Sequence, residues 1–252
     1  MELIEHTFDT YPKNLALDEA LLLAAETESV DTTSRQVLRT WQPQSPAVII
    51  GRGSQFHTEV DMDYCRTHNI PVLRRHSGGA AIVTGKGCLM YAVVISYVQH
   101  PHLRDLSNAH QFVMQRIQAA VATLVPSVNV QGICDLTIDG KKCSGNSLKV
   151  ARNHFLYHGT ILYDFDLSLI QKCLKTPPRQ PEYRQKRSHL DFVANLPAPI
   201  GNSGWSEEIV GILRHKLATT WQAAKVETKL PNEQVGLLVA EKYGNPDWNF
   251  RR

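Results

Sequence analysis

The chain has 252 residues, 42% hydrophobic and 20% charged, enough for one globular domain with a sizeable core, or a large domain with a small appendage. Its formal net charge of +3 is too small an excess to argue for nucleic acid and suits a mildly basic site for an acidic ligand. No apolar run reaches the roughly 18 residues that span a bilayer, the N-terminus lacks a secretory pattern, and five scattered cysteines form no CxxC pair; a soluble cytoplasmic protein with reduced thiols and no zinc site is expected.

Leu17, Ala20, Leu21, Ala24 and Ala25 recur at helical spacing and predict a helix over 14–25 with that face buried. Asp18 and Glu19 fall in its early turns, where negative charge suits the helix dipole. The stretch 26–35 is polar and loop-like. Residues 37–41 and 47–50 read as strands around a turn at 43–46, so a hairpin is the expected unit. A short helix at 61–68 feeds a strand at 70–73, which runs into Arg74-Arg75-His76-Ser77-Gly78-Gly79 and a second apolar run at 80–83.

That block has two readings. Paired glycines let backbone N–H groups approach a ligand, and two arginines offer forks that match phosphate or carboxylate, making an anion cradle. The other reading is a hairpin turn with two solvated arginines. It is not a Walker A loop: five residues separate Gly79 from Gly85, and Gly87 stands where Ser or Thr would hold magnesium.

Further along, 88–97 reads as a buried strand and 106–124 as an amphipathic helix ended near Pro126. Strands are expected at 128–131, 136–138 and 155–163, and a short helix at 167–174 stopped by Pro177-Pro178. The basic stretch 175–189 is either a solvated loop or one that closes over an anionic ligand. After a Pro/Gly/Ser linker at 197–204, a helix over 206–221 has Ser206 as its N-cap, and a final helix spans 232–242.

The second chemical stretch is 132–147. Asp139-Gly140 is a hairpin signal, and alternation after it places Lys141 and Lys142 on opposite faces, so only one can enter a pocket. By itself this is also a surface hairpin with two exposed lysines. Tyr157-His158-Gly159-Thr160 is, alone, an ordinary strand with a buried histidine.

Taken in order, NLALDEALL, the Trp41 strand into IIGRGSQ, LRRHSGGAAIV, DLTIDGKKCSGNS, LYHGTIL and KYGNPDWNF resemble the lipoate–protein ligase A family of the wider biotin/lipoate ligase superfamily, over residues 14–250. The resemblance implies an α+β, class II synthetase-like biotinyl/lipoyl ligase fold, with a mixed, mostly antiparallel sheet flanked by helices. It implies a catalytic domain at 1–196 and a helical extension at 197–252 packed on the same domain. Such enzymes use ATP and Mg2+ to convert lipoate or octanoate to an acyl-AMP. They then pass the acyl group to a lysine of a lipoyl domain of 2-oxoacid dehydrogenases, of glycine cleavage H protein or of a related lipoate-binding protein. Lys142 matches the family's catalytic lysine. Arg75, Ser77, Gly78, Gly79 and Ala80 match the block lining the acyl and phosphate pocket, and Asp135, Ser144, Gly145, His158, Gly159 and Thr160 match residues around the acyl-AMP. A fixed ammonium between carboxylate and α-phosphate stabilises the charge gathered in the transition state more than that of the separated reactants.

Four departures carry weight. Ala80 replaces a third glycine, Thr84 replaces a histidine, and Gly53-Ser54-Gln55 replaces the Gln-Asn that follows Gly-Arg. The chain also leaves little room for the small C-terminal domain of longer ligases, so either a separate accessory subunit supplies that function or adenylation is not needed. Hence the alternatives: an octanoyl- or lipoyl-transferase using Cys134 as thioester nucleophile without ATP, or a non-catalytic acyl-binding subunit.

Overall fold

The apolar run Cys88–Ser96 is buried along its whole length because both of its faces are covered. The structure is a computed structural model describing residues 1–27, 34–177, 180–226 and 229–251. Part of the polar stretch (28–33), together with Pro178 and Arg179, lies outside the described residues. In chain order the strands are β1 (Glu2–Glu5), β2 (Val37–Trp41), β3 (Ala47–Ile50), β4 (Val72–Arg74), β5 (Ile82–Thr84), β6 (Cys88–Ser96), β7 (Asn129–Gln131), β8 (Asp135–Ile138), β9 (Lys141–Val150) and β10 (His154–Leu162). The helices are α1 (Tyr11–Thr27), α2 (Phe56–Glu59), α3 (Met62–Thr67), α4 (Leu106–Ala122), α5 (Ser168–Cys173), α6 (His189–Phe192), α7 (Glu207–Thr220), α8 (Asn232–Leu238) and α9 (Pro246–Asn249).

Seven strands form one sheet in the order β1-β2-β6-β10-β9-β8-β7, and three form a second in the order β4-β3-β5. Pairing is antiparallel except for β1 with β2 and β3 with β4. The two-residue period of β6 sorts its side chains into two cores. Leu89, Tyr91, Val93 and Ile95 pack with α4 and α7; Met90, Ala92 and Val94 pack with α1, α8 and the small sheet.

β2 and β3 begin and end where expected but do not form a hairpin. Every residue of both strands is buried, and each strand has a neighbour on either side. β2 lies between β1 and β6 and β3 between β4 and β5, with Pro43 to Pro46 carrying the chain from one sheet to the other.

α1 is buried nearly all round, against β6 and β10 on one side and α8 on the other. It starts at Tyr11, which moves Asp18 and Glu19 out of the first turn and into the interior, at 4% and 5% exposure. They do not serve the helix dipole. Asp61 and Ser206 cap α3 and α7, each accepting a backbone N–H three residues on. The final helix passes from α to π geometry at Val239, and the turn α9 follows it. Among the described residues no helix is long and apolar enough to cross a membrane.

Candidate active site

The Arg74-Arg75 pair is buried and does not present two forks to a ligand. Arg74, 0% exposed, donates to the carbonyls of Gly51, Arg52, Ser54, Trp248, Asn249 and Arg251, tying the last turn of the chain to the loop after β3. Arg75 donates to Ser77 Oγ and to the carbonyls of Ile49, Gly78 and Ala80, and so stiffens the glycine turn. Burial draws its guanidinium down to about 10, against the pull of Glu59, so it still carries its charge at neutral pH. Backbone carbonyls take donors that the anion-cradle reading assigned to a ligand. Gly79 has φ +85°, and its carbonyl lies where a Cβ on Gly51 would sit, at 1.9 Å. The turn therefore needs glycine at both positions.

β9 supplies the cation. Leu136 pairs with Ser144 and Thr137 with Lys142, a bulge that inserts Cys143. Regular alternation would put Cys143 on the face shared by Gly145 and Ser147. The extra residue sends Cys143 into the core behind the sheet and turns Lys142 to the front. Lys142 Nζ lies 2.7 Å from Asp135 Oδ1, and a Cβ on Gly145 would meet Lys142 Cε at 3.5 Å. Lys141 is exposed, so the expected split of the two lysines is what the structure shows.

Two cavities adjoin here, of about 120 and 150 Å³. Lys142, Gly145, Thr160, Ala80, Ala81 and Ile82 line both. Leu15, Trp41, Ile49 and Met90 complete the first with apolar surface, beside Arg75, Gly79, His158 and Gly159. The second is walled by Val83, Leu162, Ile170, Phe192 and Val193, with Arg184 and His189, which are 4% and 7% exposed. That part of the basic stretch is packed against the cavity, not spread in solvent. Four expected residues support the cavities from outside the first. Ser77 is 1% exposed behind the wall, Gly78 accepts from Ser147 Oγ at 2.9 Å, Asp135 holds Lys142, and Ser144 borders only the second cavity.

The sequence reading missed Asp18, Met90, Asn146 and Ser147, all on the first cavity. The available signal was a pair of opposite charges in apolar settings, Asp18 within NLALDEALL and Arg39 within Val-Leu-Arg-Thr-Trp. Arg39 Nη1 meets Asp18 Oδ1 at 2.5 Å. Burial alone would raise the Asp18 carboxyl, but Arg39 and His158 outweigh it and hold it below its ordinary range. Ser77 Oγ accepts from Arg75 Nε at 3.1 Å and lies 2.5 Å from His158 Nε2, while Nδ1 of the same ring faces Asp18 Oδ2 at 3.5 Å.

Glu19 anchors a second cluster. It accepts from Lys242 at 2.6 Å and from the Tyr243 hydroxyl at 2.5 Å, and lies 2.6 Å from His76 Nδ1. Burial would raise this carboxyl, yet His76, Lys242 and Tyr243 bring it to about 2 from an ordinary 4.5. The stability it contributes is therefore complete above about pH 4.5 and is lost as the pH falls towards 2, because the unfolded chain takes up the proton first. Urea titrations at a series of pH values should show the gap between wild type and Glu19→Gln narrowing over that window.

Gly159 is fixed by its neighbours. A Cβ there would stand 1.8 Å from Asn146 Oδ1 and 2.8 Å from the Tyr91 ring, two groups already bonded to each other. Gly159→Ala should cost about 1–3 kcal/mol of overpacking, read as a lower urea midpoint.

Cys134 lies behind this wall. It borders neither cavity, and its thiol donates to the Asn146 carbonyl at 3.8 Å. Burial and the Asp135 charge push the thiol up to about 11, with Lys142 and Tyr157 pulling the other way. Among the described residues no group of three or more His, Cys, Asp or Glu is arranged to hold a metal ion.

A profile of the lipoyl protein ligase A/B catalytic domain matches residues 10–216. The chain belongs to this family. Within the lipoyl ligase A/B family, lipoate–protein ligase 1 of Staphylococcus aureus is 28% identical over 211 residues, covering 82% of this chain and 62% of that protein. The chain thus spans less than two thirds of that ligase's length. Octanoyltransferase LipM of Clostridioides difficile is 25% identical over 264 residues, covering 95% and 94%. The fold is that of the bipartite lipoate protein ligase of Thermoplasma acidophilum, with TM-score 0.80 at 24% identity over 99% of this chain and 96% of that one. A lipoate–protein ligase A bound with ATP superposes with TM-score 0.71 at 23% identity, covering 99% and 98%.

Proposed function

We propose that the protein is an ATP-dependent lipoate–protein ligase, which activates lipoate or octanoate as acyl-AMP and transfers the acyl group to a lysine of a lipoyl domain or of glycine cleavage H protein. The observation that carries this reading is the place of Lys142, on the wall common to two cavities. The first suits an acyl chain, closed by Leu15, Trp41, Ile49 and Met90. The second suits a nucleotide base, with Phe192, Leu162 and Val193 as apolar walls and Arg184 at its edge. A carboxylate from one side and an α-phosphate from the other meet at the ammonium. The carboxylate oxygen attacks phosphorus and pyrophosphate leaves; later the acceptor lysine attacks the acyl carbonyl and AMP leaves. Lys142 stabilises the charge that builds on the oxygens in both steps. Mg2+ arrives on the ATP phosphates and offsets their charge there.

The octanoyltransferase relatives keep the thioester route as a second reading, with Cys134 as nucleophile. A thiol held at about 11 is almost wholly protonated at neutral pH, and it borders neither cavity, which favours the ligase. By likeness to the bipartite fold neighbour, we extend the proposal to a separate small accessory subunit, with residues 197–252 serving the same catalytic unit as 1–196.

Purified protein is incubated with an apo lipoyl domain and either lipoate with Mg·ATP or octanoyl-carrier protein without ATP. The ligase reading expects ATP-dependent modification, retained in Cys134→Ser within about threefold. Transfer that needs no ATP and dies with the serine change would establish the thioester route instead. No modification under any condition would leave an acyl-binding subunit.

A further inference from the structure

Asp135 accepts two hydrogen bonds from opposite directions. Lys142 Nζ reaches Oδ1 at 2.7 Å, and the Tyr183 hydroxyl reaches Oδ2 at 2.6 Å. Tyr183 belongs to the short turn Glu182–Arg184, within the segment that walls the second cavity. Its ring leans on Phe192 with centroids 5.2 Å apart, and passes close to Gly132, where a Cβ would meet Tyr183 Cε1 at 3.2 Å. Arg187 Nη2 bonds the Gly140 carbonyl at 3.0 Å and the Tyr183 carbonyl at 2.8 Å, clamping the segment to the β8–β9 turn. Ala194 N donates to the Lys142 carbonyl at 2.9 Å. One stretch of chain therefore grips Lys142 twice, at its backbone directly and at its side chain through Asp135.

We propose that Tyr183 is a positioning residue for Lys142, coupling the wall of the second cavity to the reach of the ammonium; this rests on the acyl-adenylating reading of the site. The hydroxyl fixes the rotation of the Asp135 carboxylate, and that carboxylate fixes where Lys142 waits. A ligand seated against Phe192 and Arg184 bears on the residues that hold the Tyr183 ring. Occupancy of that cavity is thereby passed to the cation. Burial and the Asp135 charge raise the phenol, which stays protonated and acts as a donor throughout the working pH range.

The test is Tyr183→Phe, which keeps the ring and deletes the hydroxyl. In ATP–pyrophosphate exchange driven by lipoate, kcat should fall about tenfold with KM for ATP within about twofold of wild type, the size of one lost hydrogen bond to a charged group. In an Asp135→Asn background the same change should have no further effect on kcat, because the path it acts through is already cut. A rise in KM alone, or additive losses in the double variant, would overturn the proposal. A second readout needs no activity: trace labelling of the folded protein with acetic anhydride, comparing Lys142 with exposed Lys141 by mass spectrometry. Tyr183→Phe should speed Lys142 labelling about threefold or more, since its partner is no longer fixed. Unchanged or slower labelling refutes the coupling. Wild-type protein without exchange activity would remove the adenylating reading, and the labelling result would still decide whether Tyr183 sets the position of Lys142.

Discussion

Lys142→Ala should abolish acyl-adenylate formation, lowering pyrophosphate release by about 10²–10³-fold, while the protein melts close to wild type. On the proposed mechanism, losing the ammonium removes the charge opposite the oxygens where substrate carboxylate and phosphate meet. The fold is spared because the Lys142 side chain is 28% exposed and forms no part of either core. Asp135 loses one donor but keeps the Tyr183 hydroxyl, so it is not left bare. Lys142→Arg should fail nearly as badly. A planar guanidinium is larger than a point ammonium and spreads its charge over a fork, so it does not put the charge where the ammonium sits. Near-normal pyrophosphate release by the alanine variant would remove Lys142 from the mechanism.

The largest stability effect is expected at Arg39. Its guanidinium is 0% exposed and bonds Asp18 Oδ1, the Asn14 carbonyl at 2.8 Å, Asn14 Oδ1 at 2.7 Å and the His6 carbonyl at 3.1 Å. Arg39→Met leaves the Asp18 carboxylate buried without its cation, a loss of about 3–5 kcal/mol. At this chain length each kcal/mol is about 2–4 °C in melting temperature, so scanning calorimetry should find a drop of roughly 6–20 °C. Pairing the change with Asp18→Asn should restore part of the loss, because the stranded charge is gone. A drop of under about 1 kcal/mol would mean that the pair contributes little to the fold.

The strand positions were legible because β2, β3 and β6 are short apolar runs bounded by turn residues. The Ser206 cap was legible because it stands just ahead of helical periodicity, whereas Asp61 was counted within the helix it caps. The pairing of β2 and β3 was not, since a strand buried on both faces carries no alternation to say which sheet it joins. Lys142, Arg75, Gly79 and His158 were legible as residues that come together on one cavity wall. Arg75 and Arg74 looked like ligand forks because a sequence shows their charge and hides the carbonyls that absorb it. Asp18 and Glu19 looked like dipole partners because α1 reads as starting later than it does. The walls made by Met90 and Phe192 had no signal apart from the core, as an apolar residue facing a cavity reads the same as one facing a neighbour.

Lys142 and Gly145 are three positions apart, an odd spacing that a regular strand would send to opposite sides, and only the bulge at Cys143 brings them to one. The aim of the Lys142 ammonium is thus held in the count of backbone units as much as in the identity of any side chain. Were the same residues paired without that bulge, Lys142 would fall opposite Ile138 and its amine would enter the packed interior, leaving both cavities without their cation.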